Sequence, residues 1–328
     1  MSKKYSSKEF SISCSMRNLD ESLELMYGSS EEKIMATKNI LKFCTSFMNL
    51  ENLKENDQMM SALSRMLADD SSSSTQLSFN LGKIFLSFSN FKRFHPILSS
   101  FRVGYLLMSI LDLELKRIKH REQKQMQDDI VSTKRKAHAL NSRHEGVLFV
   151  AFKVLENLSD DVSVLRKMVK KGLLNYLLIL IEKNSQNCIH VILSLLSRCC
   201  IFKECCHEIV FGNFQTIDTL VKNLALSDRD IVKKTLNVIY NLSFDANCRQ
   251  KMIEAKIGTK LIQHMKKSST RKISILIIYN ITVDNACRDS LLSYQLNHAI
   301  IQAVANRQND SITNELSAVA INVRLHSP

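Results

Sequence analysis

Residues 238–252, VIYNLSFDANCRQKM, decide the fold, because two other stretches of the chain repeat this phrase. The other copies are VLENLSDDVSVLRKM at 154–168 and IYNITVDNACRDSLL at 278–292. Each copy is an apolar helical run that ends at an Asn, followed by an Asp and by a second amphipathic run with an Arg. Weaker copies are LSRCCIFKECC and VAINVRLHSP. The anchor positions of the five copies are Asn157, Arg198, Asn241, Asn280 and Asn322.

The distance between the copies indicates a helical repeat protein. Successive anchors lie 39 to 43 residues apart, and repeats of about 40 to 47 residues are typical of armadillo and HEAT arrays. In the best copy Leu236, Ile239 and Leu242 recur at helical spacing, and Asp245 supplies an N-cap for the next helix. The 328 residues include only 7 Gly and 2 Pro, too few for the turns of a large sheet protein. We therefore predict an all-α fold, an armadillo-type helical repeat solenoid that winds as a right-handed superhelix, with one charged insertion.

Glycine scarcity also excludes functional classes. No two of the glycines are close together, whereas a P-loop or a dinucleotide-binding turn needs clustered glycines so that backbone N–H groups can approach phosphate. We predict no cofactor and no enzymatic activity, since no nucleophile, base and orienting carboxylate form a recognisable set. The start, MSKKYSSKEFSIS, lacks the apolar core of a signal peptide, and no apolar run reaches the about 18 residues of a membrane helix. The sequence therefore predicts a cytosolic or nuclear protein without membrane insertion.

Four cysteines and a histidine cluster at residues 199–207, RCCIFKECCH with the preceding Arg198. Zinc sites favour cysteine pairs separated by two to four residues, but here the paired cysteines are adjacent. Cys205, Cys248 and Cys287 each follow an anchor by seven residues, where a small apolar side chain suits helix packing. We predict buried, reduced cysteines in the core and no metal site.

Charge and periodicity divide the chain into four regions. Residues 1–18 are polar and are predicted to be disordered; 19–115 contain divergent armadillo repeats; 116–145 form a basic charged insertion; and 146–328 hold the regular repeats, of which the last is incomplete. The insertion is almost free of large apolar residues, and insertions in solenoids map to loops. We expect a solvated charged loop, although its Lys and Arg residues could also contact acidic tails, a membrane surface or nucleic acid. We expect Gly104, Gly172 and Gly212 to end helices in a left-handed conformation.

The combination of several segments resembles one family. FLSFSNFKRFHPILSSFRVGYLLMSILDLELKR at 85–117, followed by the charged insertion and then by NLSFDANCRQKM and YNITVDNACRDS, is similar to the kinesin-associated protein, the non-motor subunit of heterotrimeric kinesin-2. DESLELMY at 20–27 also resembles the entry into that family's armadillo array. The chain looks like a shortened or divergent member, and its net charge of +13 departs from the family's more acidic balance.

The resemblance implies an adaptor function. Members of the family bind the C-terminal tails of the two kinesin-2 motor subunits through armadillo repeats and connect them to cargo, including intraflagellar transport in cilia. We therefore expect motor subunit tails as partners and a cytoplasmic, ciliary or microtubule-associated location.

The anchor residues are the candidate partner-binding side chains. An Asn on the groove-lining helix of an armadillo repeat can donate to and accept from the backbone of an extended ligand. The alternative is that each Asn caps its own helix or braces the adjacent turn. Arg249 and Arg288 follow their anchors by eight residues and could engage acidic ligand groups, or lie on a solvated helix face. The predicted set is Asn157, Arg198, Asn241, Arg249, Asn280, Arg288 and Asn322.

Two other binding functions remain as alternatives. One is another armadillo-type scaffold such as a nuclear import receptor, but those receptors pair groove Trp residues with their Asn ladder and this chain has no Trp. The other is a helical-repeat protein that binds nucleic acid, which a pI of about 9.3 favours. Such a protein needs basic residues along one continuous face, whereas the lysines here are spread over different repeats. We expect no nucleic-acid partner.

Overall fold

The structure is a computed structural model that describes residues 19–125, 133–183, 187–291 and Val319. Throughout these residues the chain is built from helices and turns, without a β-strand. It divides into two compact units, Met1–Tyr176 and Leu177–Pro328. The predicted disordered tail, 1–18, lies outside the described residues.

Three long helices of the first unit, α2, α5 and α8, pack side by side, α2 against α5 and α5 against α8. Ser29, Ser46 and Ser74 cap the helices that follow them, each through its side-chain oxygen. The core between the helices contains the fully buried rings of Phe85 and Phe152. The helices of this unit are α1 (19–25), α2 (Ser30–Phe43), α3 (Phe47–Glu55), α4 (Asp57–Arg65) with a π-helical turn (Met66–Asp70), α5 (Thr75–Ser89), a 3-10 turn (Lys92–Phe94), α6 (His95–Ser100), α7 (Val103–Gln125), α8 (Thr133–Leu158) and α9 (Val162–Lys170).

The second unit repeats a three-helix pattern. Its third helices α11, α14 and α17 pack in series, and its first helices α12, α15 and α18 do the same. Asp228 and Asp245 cap α14 and α15, so the N-cap predicted at Asp245 is confirmed. The division between the units falls within α10. The helices are α10 (Leu173–Glu182), α11 (Ile189–Cys199), α12 (Lys203–Phe211), α13 (Thr216–Asn223), α14 (Arg229–Leu242), α15 (Ala246–Glu254), α16 (Gly258–Met265), α17 (Ser268–Thr282) and α18 (Asn285–Leu291).

In its described parts, 116–125 and 133–145, the charged insertion is helical and not the loop that the sequence predicted. Helix α7 continues into it as far as Gln125, and α8 begins within it at Thr133. The segment contains no Gly or Pro between Gly104 and Gly146, and Lys, Arg, Gln, Glu and Ala are all good helix formers. In the described parts of the insertion, 116–125 and 133–145, the scarcity of large apolar residues therefore accompanies helices and not a loop.

Three residues with a left-handed backbone conformation occupy equivalent positions in their repeats, each two residues after the end of the repeat's first helix. Gly172 occupies this position after α9 with φ of 90°, and Arg102 and Lys256 occupy it after α6 and α15 with φ of 55° and 56°. Thus the prediction for Gly172 is confirmed. It is wrong for Gly104, which lies inside α7, and for Gly212, whose φ is −72°. The helix geometry imposes the left-handed turn even where the residue carries a Cβ.

We expect Gly172→Ala to lower the free energy of unfolding by about 1 kcal/mol, because Cβ is disfavoured at positive φ. A Cβ at this position would meet no atom within 4 Å, so backbone strain alone would account for the loss. Lys256→Gly should shift stability in the opposite direction. Urea denaturation measures both variants, and Gly104→Ala, within a helix, is the control; a loss for Gly104→Ala equal to that of Gly172→Ala would contradict this explanation.

The predicted burial of the cysteines is confirmed. Cys199, Cys205, Cys248 and Cys287 are all buried and form no disulfide. Burial raises the pKa of Cys200 well above its ordinary value, so its thiol is neutral and packs as a small apolar group. Cys206 departs from this behaviour, because a hydrogen bond from Cys248 lowers its pKa. Among the described residues, His, Cys, Asp and Glu form no group of three that could hold a metal ion.

Within the described ranges, no single helix is both long and apolar enough to cross a membrane. One bent pair, Lys92–Ser100 with Val103–His120, reaches that length only in combination.

Candidate partner-binding face

The anchor asparagines lie at equivalent places on the third helices. Asn157 is in the last turn of α8, Asn241 in the last turn of α14, and Asn280 near the end of α17. Arg198 occupies the same place on α11. All four side chains are partly exposed. Asn322 lies outside the described residues.

Each amide nitrogen is hydrogen-bonded to the preceding third helix or to the turn that follows it. Asn157 Nδ2 donates to Ser89 Oγ and to Asn90 Oδ1, both at 3.0 Å. Asn241 Nδ2 donates to the Ser197 carbonyl oxygen at 2.8 Å, and Asn280 Nδ2 donates to Ser243 Oγ at 2.8 Å. The bracing role that the sequence left open is therefore present, and it joins neighbouring repeats.

The acceptors determine which atom of the amide points inward. The Ser197 carbonyl oxygen can only accept, so the amide atom facing it is the nitrogen. Ser243 Oγ already donates to the Tyr240 carbonyl at 2.6 Å, and it therefore accepts from Asn280. The carbonyl oxygens Oδ1 of Asn241 and Asn280 receive no hydrogen bond from the part of the chain that the structure describes, and they are available to a ligand N–H. Bracing and ligand binding thus use different atoms of one side chain.

Arg249 joins two repeats. Its Nη1 donates to the carbonyl oxygens of Ser243 and Phe244 at 3.1 and 3.2 Å, and its Nη2 donates to Asp284 Oδ2 at 3.2 Å. Burial opposes ionisation of Asp284, but the Arg249 hydrogen bond, that of the Cys287 N–H and the Arg249 charge outweigh it, so the net pKa of Asp284 is lowered. The guanidinium is thus used within the protein, and we do not place it in the binding surface.

Arg288 does not have the solvated position that the sequence allowed. Its side chain is buried, with 4% of the residue exposed, on a helix, α18, that packs against α17 and α15. A buried guanidinium cannot meet an acidic partner at the surface without displacing that packing. Arg198 remains partly exposed on α11 and stays a candidate.

A row of exposed apolar residues follows the anchors, and sequence reasoning missed it. Ile201, Phe244 and Val283 each come three residues after an anchor, and 57, 63 and 59% of their surface is exposed. The Phe244 ring packs on that of Tyr240, beside Asn241, with centroids 5.1 Å apart. The signal was visible in the alignment of the copies, since three apolar residues share the position three residues after the anchor.

Comparison with known families agrees with this architecture. A model of the kinesin-associated protein (KAP) family matches residues 2–327, nearly the whole chain.

Solved structures show the same fold at low sequence identity. The crystal structure of an engineered protein from the Northeast Structural Genomics Consortium matches with a TM-score of 0.59 at 12% identity, covering 81% of this chain and 96% of that one. A designed armadillo repeat protein in complex with the peptide (KR)4 matches with a TM-score of 0.52 at 16% identity, covering 87% and 98%. These likenesses confirm the predicted armadillo-type helical repeat fold.

Proposed function

The chain belongs to the kinesin-associated protein family, and we infer that it is a non-catalytic adaptor that holds the C-terminal tails of kinesin-2 motor subunits and links the motor to cargo. The observation that carries the proposal is the pair of amides at Asn241 and Asn280, braced through nitrogen with their oxygens available to a ligand. Fixed acceptors of this kind bind with little loss of side-chain entropy. We propose that the protein acts in the cytoplasm on microtubules, including those of the cilium, in intraflagellar transport.

Size-exclusion co-elution with the C-terminal tail segments of both kinesin-2 motor subunits from the same organism tests the adaptor function. We expect a complex that weakens but persists when the salt concentration is raised from about 0.05 to 0.5 M, because contacts to surface lysines are screened whereas bonds to the amide ladder and apolar contacts are screened little. A complex that is lost at high salt would indicate nonspecific attraction by a chain of net charge +13. The absence of a complex at both salt concentrations would overturn the proposal.

A matched pair of variants separates ligand binding from bracing. Asn280→Ala removes both the brace to Ser243 and the free amide oxygen, whereas Ser243→Ala removes the acceptor of that brace and the Ser243 bond to the Tyr240 carbonyl but keeps the amide oxygen. Each should lower the free energy of unfolding by about 1 kcal/mol, measured by urea denaturation. Only Asn280→Ala should weaken tail binding, by about fivefold to tenfold for one lost hydrogen bond, measured by fluorescence anisotropy. Equal effects of the two variants on binding would show that the amide acts only as a brace.

A further inference from the structure

On the exposed face formed by α11, α14 and α17, neighbouring anchors lie within about one helical turn of each other, since Asn241 bonds one residue before Arg198, at Ser197, and Asn280 bonds two residues after Asn241, at Ser243. The Asn241 bond to Ser197 and the Asn280 bond to Ser243 fix neighbouring helices near the anchors. Near the other end, Lys234 Nζ donates to the His190 carbonyl oxygen at 3.0 Å. Residues at the same distance from their anchors therefore form rows that cross the three helices, and the chemistry of each row can be compared.

The rows differ in chemistry from one end of the helices to the other. Eight residues before the anchors the row is basic, with His190, Lys233 and Lys272. Lys233 and Lys272 are exposed, and no acidic group among the described residues pairs with either of them. His190 differs, because its Nε2 lies 3.7 Å from the Asp228 carboxylate. Three residues after the anchors the row is apolar, with Ile201, Phe244 and Val283 exposed. The anchors Arg198, Asn241 and Asn280 lie between these two rows.

The distances along the helices suit an extended segment laid across them. At a rise of 1.5 Å per residue, the basic row lies about 12 Å from the anchors. The apolar row lies on the other side of the anchors, in the turns that directly follow the three helices. A segment that follows the anchors can donate backbone N–H groups to the Asn oxygens. Its side chains point alternately to opposite sides, so that one set points toward the lysines and the other toward the apolar row. Long acidic side chains can meet long lysine side chains across the greater distance.

We propose that the exposed face of α11, α14 and α17 binds an extended acidic segment in which acidic and apolar side chains alternate. This inference rests on the proposed function and specifies the chemistry of the tail segment that the adaptor holds. Charge complementarity determines the acidic side of the segment, since the lysine row would repel a basic one. The exposed apolar row determines the other side, because burying its three side chains removes apolar surface from water.

The equivalent helices of the first unit, α5 and α8, carry different residues at the positions of the two rows. We therefore assign the specificity for an acidic segment to the second unit. On α5, Ser87 takes the place of the anchor, since Asn157 bonds to Ser89 two residues after it, as Asn280 bonds to Ser243 two residues after Asn241. Eight residues before Ser87 and Asn157 the residues are Phe79 and Phe149. Three residues after Asn157 comes Asp160, which pairs with Lys92 at 3.2 Å. Neither a basic row at one end nor an apolar row at the other is present on α5 and α8.

Fluorescence anisotropy with a labelled peptide of alternating Glu and Val tests the inference on the full chain. A length of about twelve residues is enough to cross three packed helices at about 3.3 Å per residue. We expect binding at about 0.15 M salt, and at least about tenfold weaker binding by Lys233→Glu/Lys272→Glu. The same double variant should bind an alternating Lys and Val peptide that the parent protein does not bind. Phe244→Ser/Val283→Ser should bind the acidic peptide at least about fivefold more weakly.

Matched controls distinguish an effect of the two rows of side chains from an effect of net charge alone. Lys203→Glu/Lys222→Glu makes the same charge change at exposed positions on α12 and α13 and should leave binding within about twofold. A block peptide, with all Glu residues before all Val residues, should bind at least about tenfold more weakly than the alternating peptide. Equal binding of the block peptide, effective competition by a single-stranded oligonucleotide of the same charge, or no binding of the alternating peptide would each overturn the inference.

The peptide-binding experiment and the co-elution with motor tails test the two proposals separately. If the tails co-elute equally with the parent protein and with Lys233→Glu/Lys272→Glu, the adaptor function stands and the proposed segment is wrong. If the alternating peptide binds as described but the tails do not co-elute, the surface stands and the motor partner is wrong.

Discussion

Glu114→Ala is expected to destabilise the first unit by about 3 kcal/mol, because it removes a fully buried carboxylate and leaves the buried His144 and the partly exposed Arg117 without their shared acceptor. Glu114 lies on α7 with no exposed surface. One of its carboxylate oxygens accepts from Arg117 Nη1 at 2.6 Å, and the other is hydrogen-bonded to His144 Nδ1 of α8. Arg117 also donates to the Ser72 carbonyl before α5. The carboxylate therefore connects three parts of the unit. Urea denaturation measures the loss.

The charge of Glu114 should appear in the pH dependence of stability. Burial raises the pKa of this carboxyl, but the hydrogen bond and charge of His144 and then those of Arg117 outweigh burial, so the net pKa is lowered. A carboxyl with a lowered pKa stabilises the fold above its unfolded pKa of about 4.3, and this contribution is lost as the pH falls through the folded value. Glu114→Gln keeps the shape and should flatten that dependence. An unchanged pH profile in Glu114→Gln would show that the ionised form contributes nothing.

The repeat architecture could be predicted from sequence because its signals are local. The anchor phrase recurs every 39 to 43 residues, and Asp245 is followed by a helix in the structure as in the sequence pattern. The hydroxyls that receive the amides of Asn157 and Asn280 are also present in the sequence, two residues after Ser87 and two after Asn241. Their partners, however, lie on the next repeat. Sequence spacing shows that Ser243 recurs with the phrase but does not show that Asn280 bonds to it.

The remaining differences between the sequence prediction and the structure arise at residues whose conformation or burial depends on tertiary contacts. Arg249 and Arg288 occupy the same position of the repeat. The Arg249 guanidinium bonds to Asp284 of the next repeat, whereas the side chain of Arg288 is buried. Lys256 adopts a left-handed conformation although it is not a glycine. Helix ends and packed neighbours impose these states on residues whose own preferences are weak. The basic and apolar rows became visible once the structure fixed which residues of each repeat remain exposed.

Arg249→Ala should destabilise the second unit by about 2 to 3 kcal/mol, because hydrogen bonds to charged groups contribute about 1.5 to 3 kcal/mol. The substitution leaves the carbonyl oxygens of Ser243 and Phe244 and the Asp284 carboxylate without their shared donor. Arg249→Lys should recover less than half of the loss, since an ammonium does not have the planar fork that reaches two acceptors at once. Thermal denaturation of both variants measures the difference.

Asp284→Asn separates the two contributions of Arg249. It keeps a side-chain oxygen for the N–H groups of Ala286 and Cys287, which Asp284 Oδ1 now caps at 3.2 and 3.4 Å, but it removes the charge opposite the guanidinium. We expect a loss of about 1 kcal/mol, the part due to the partly exposed ion pair. Arg249→Ala should therefore cost more than Asp284→Asn, because the bonds to the two carbonyl oxygens are lost only with the arginine. If Asp284→Asn costs as much as Arg249→Ala, the ion pair and not the backbone bonds joins these repeats.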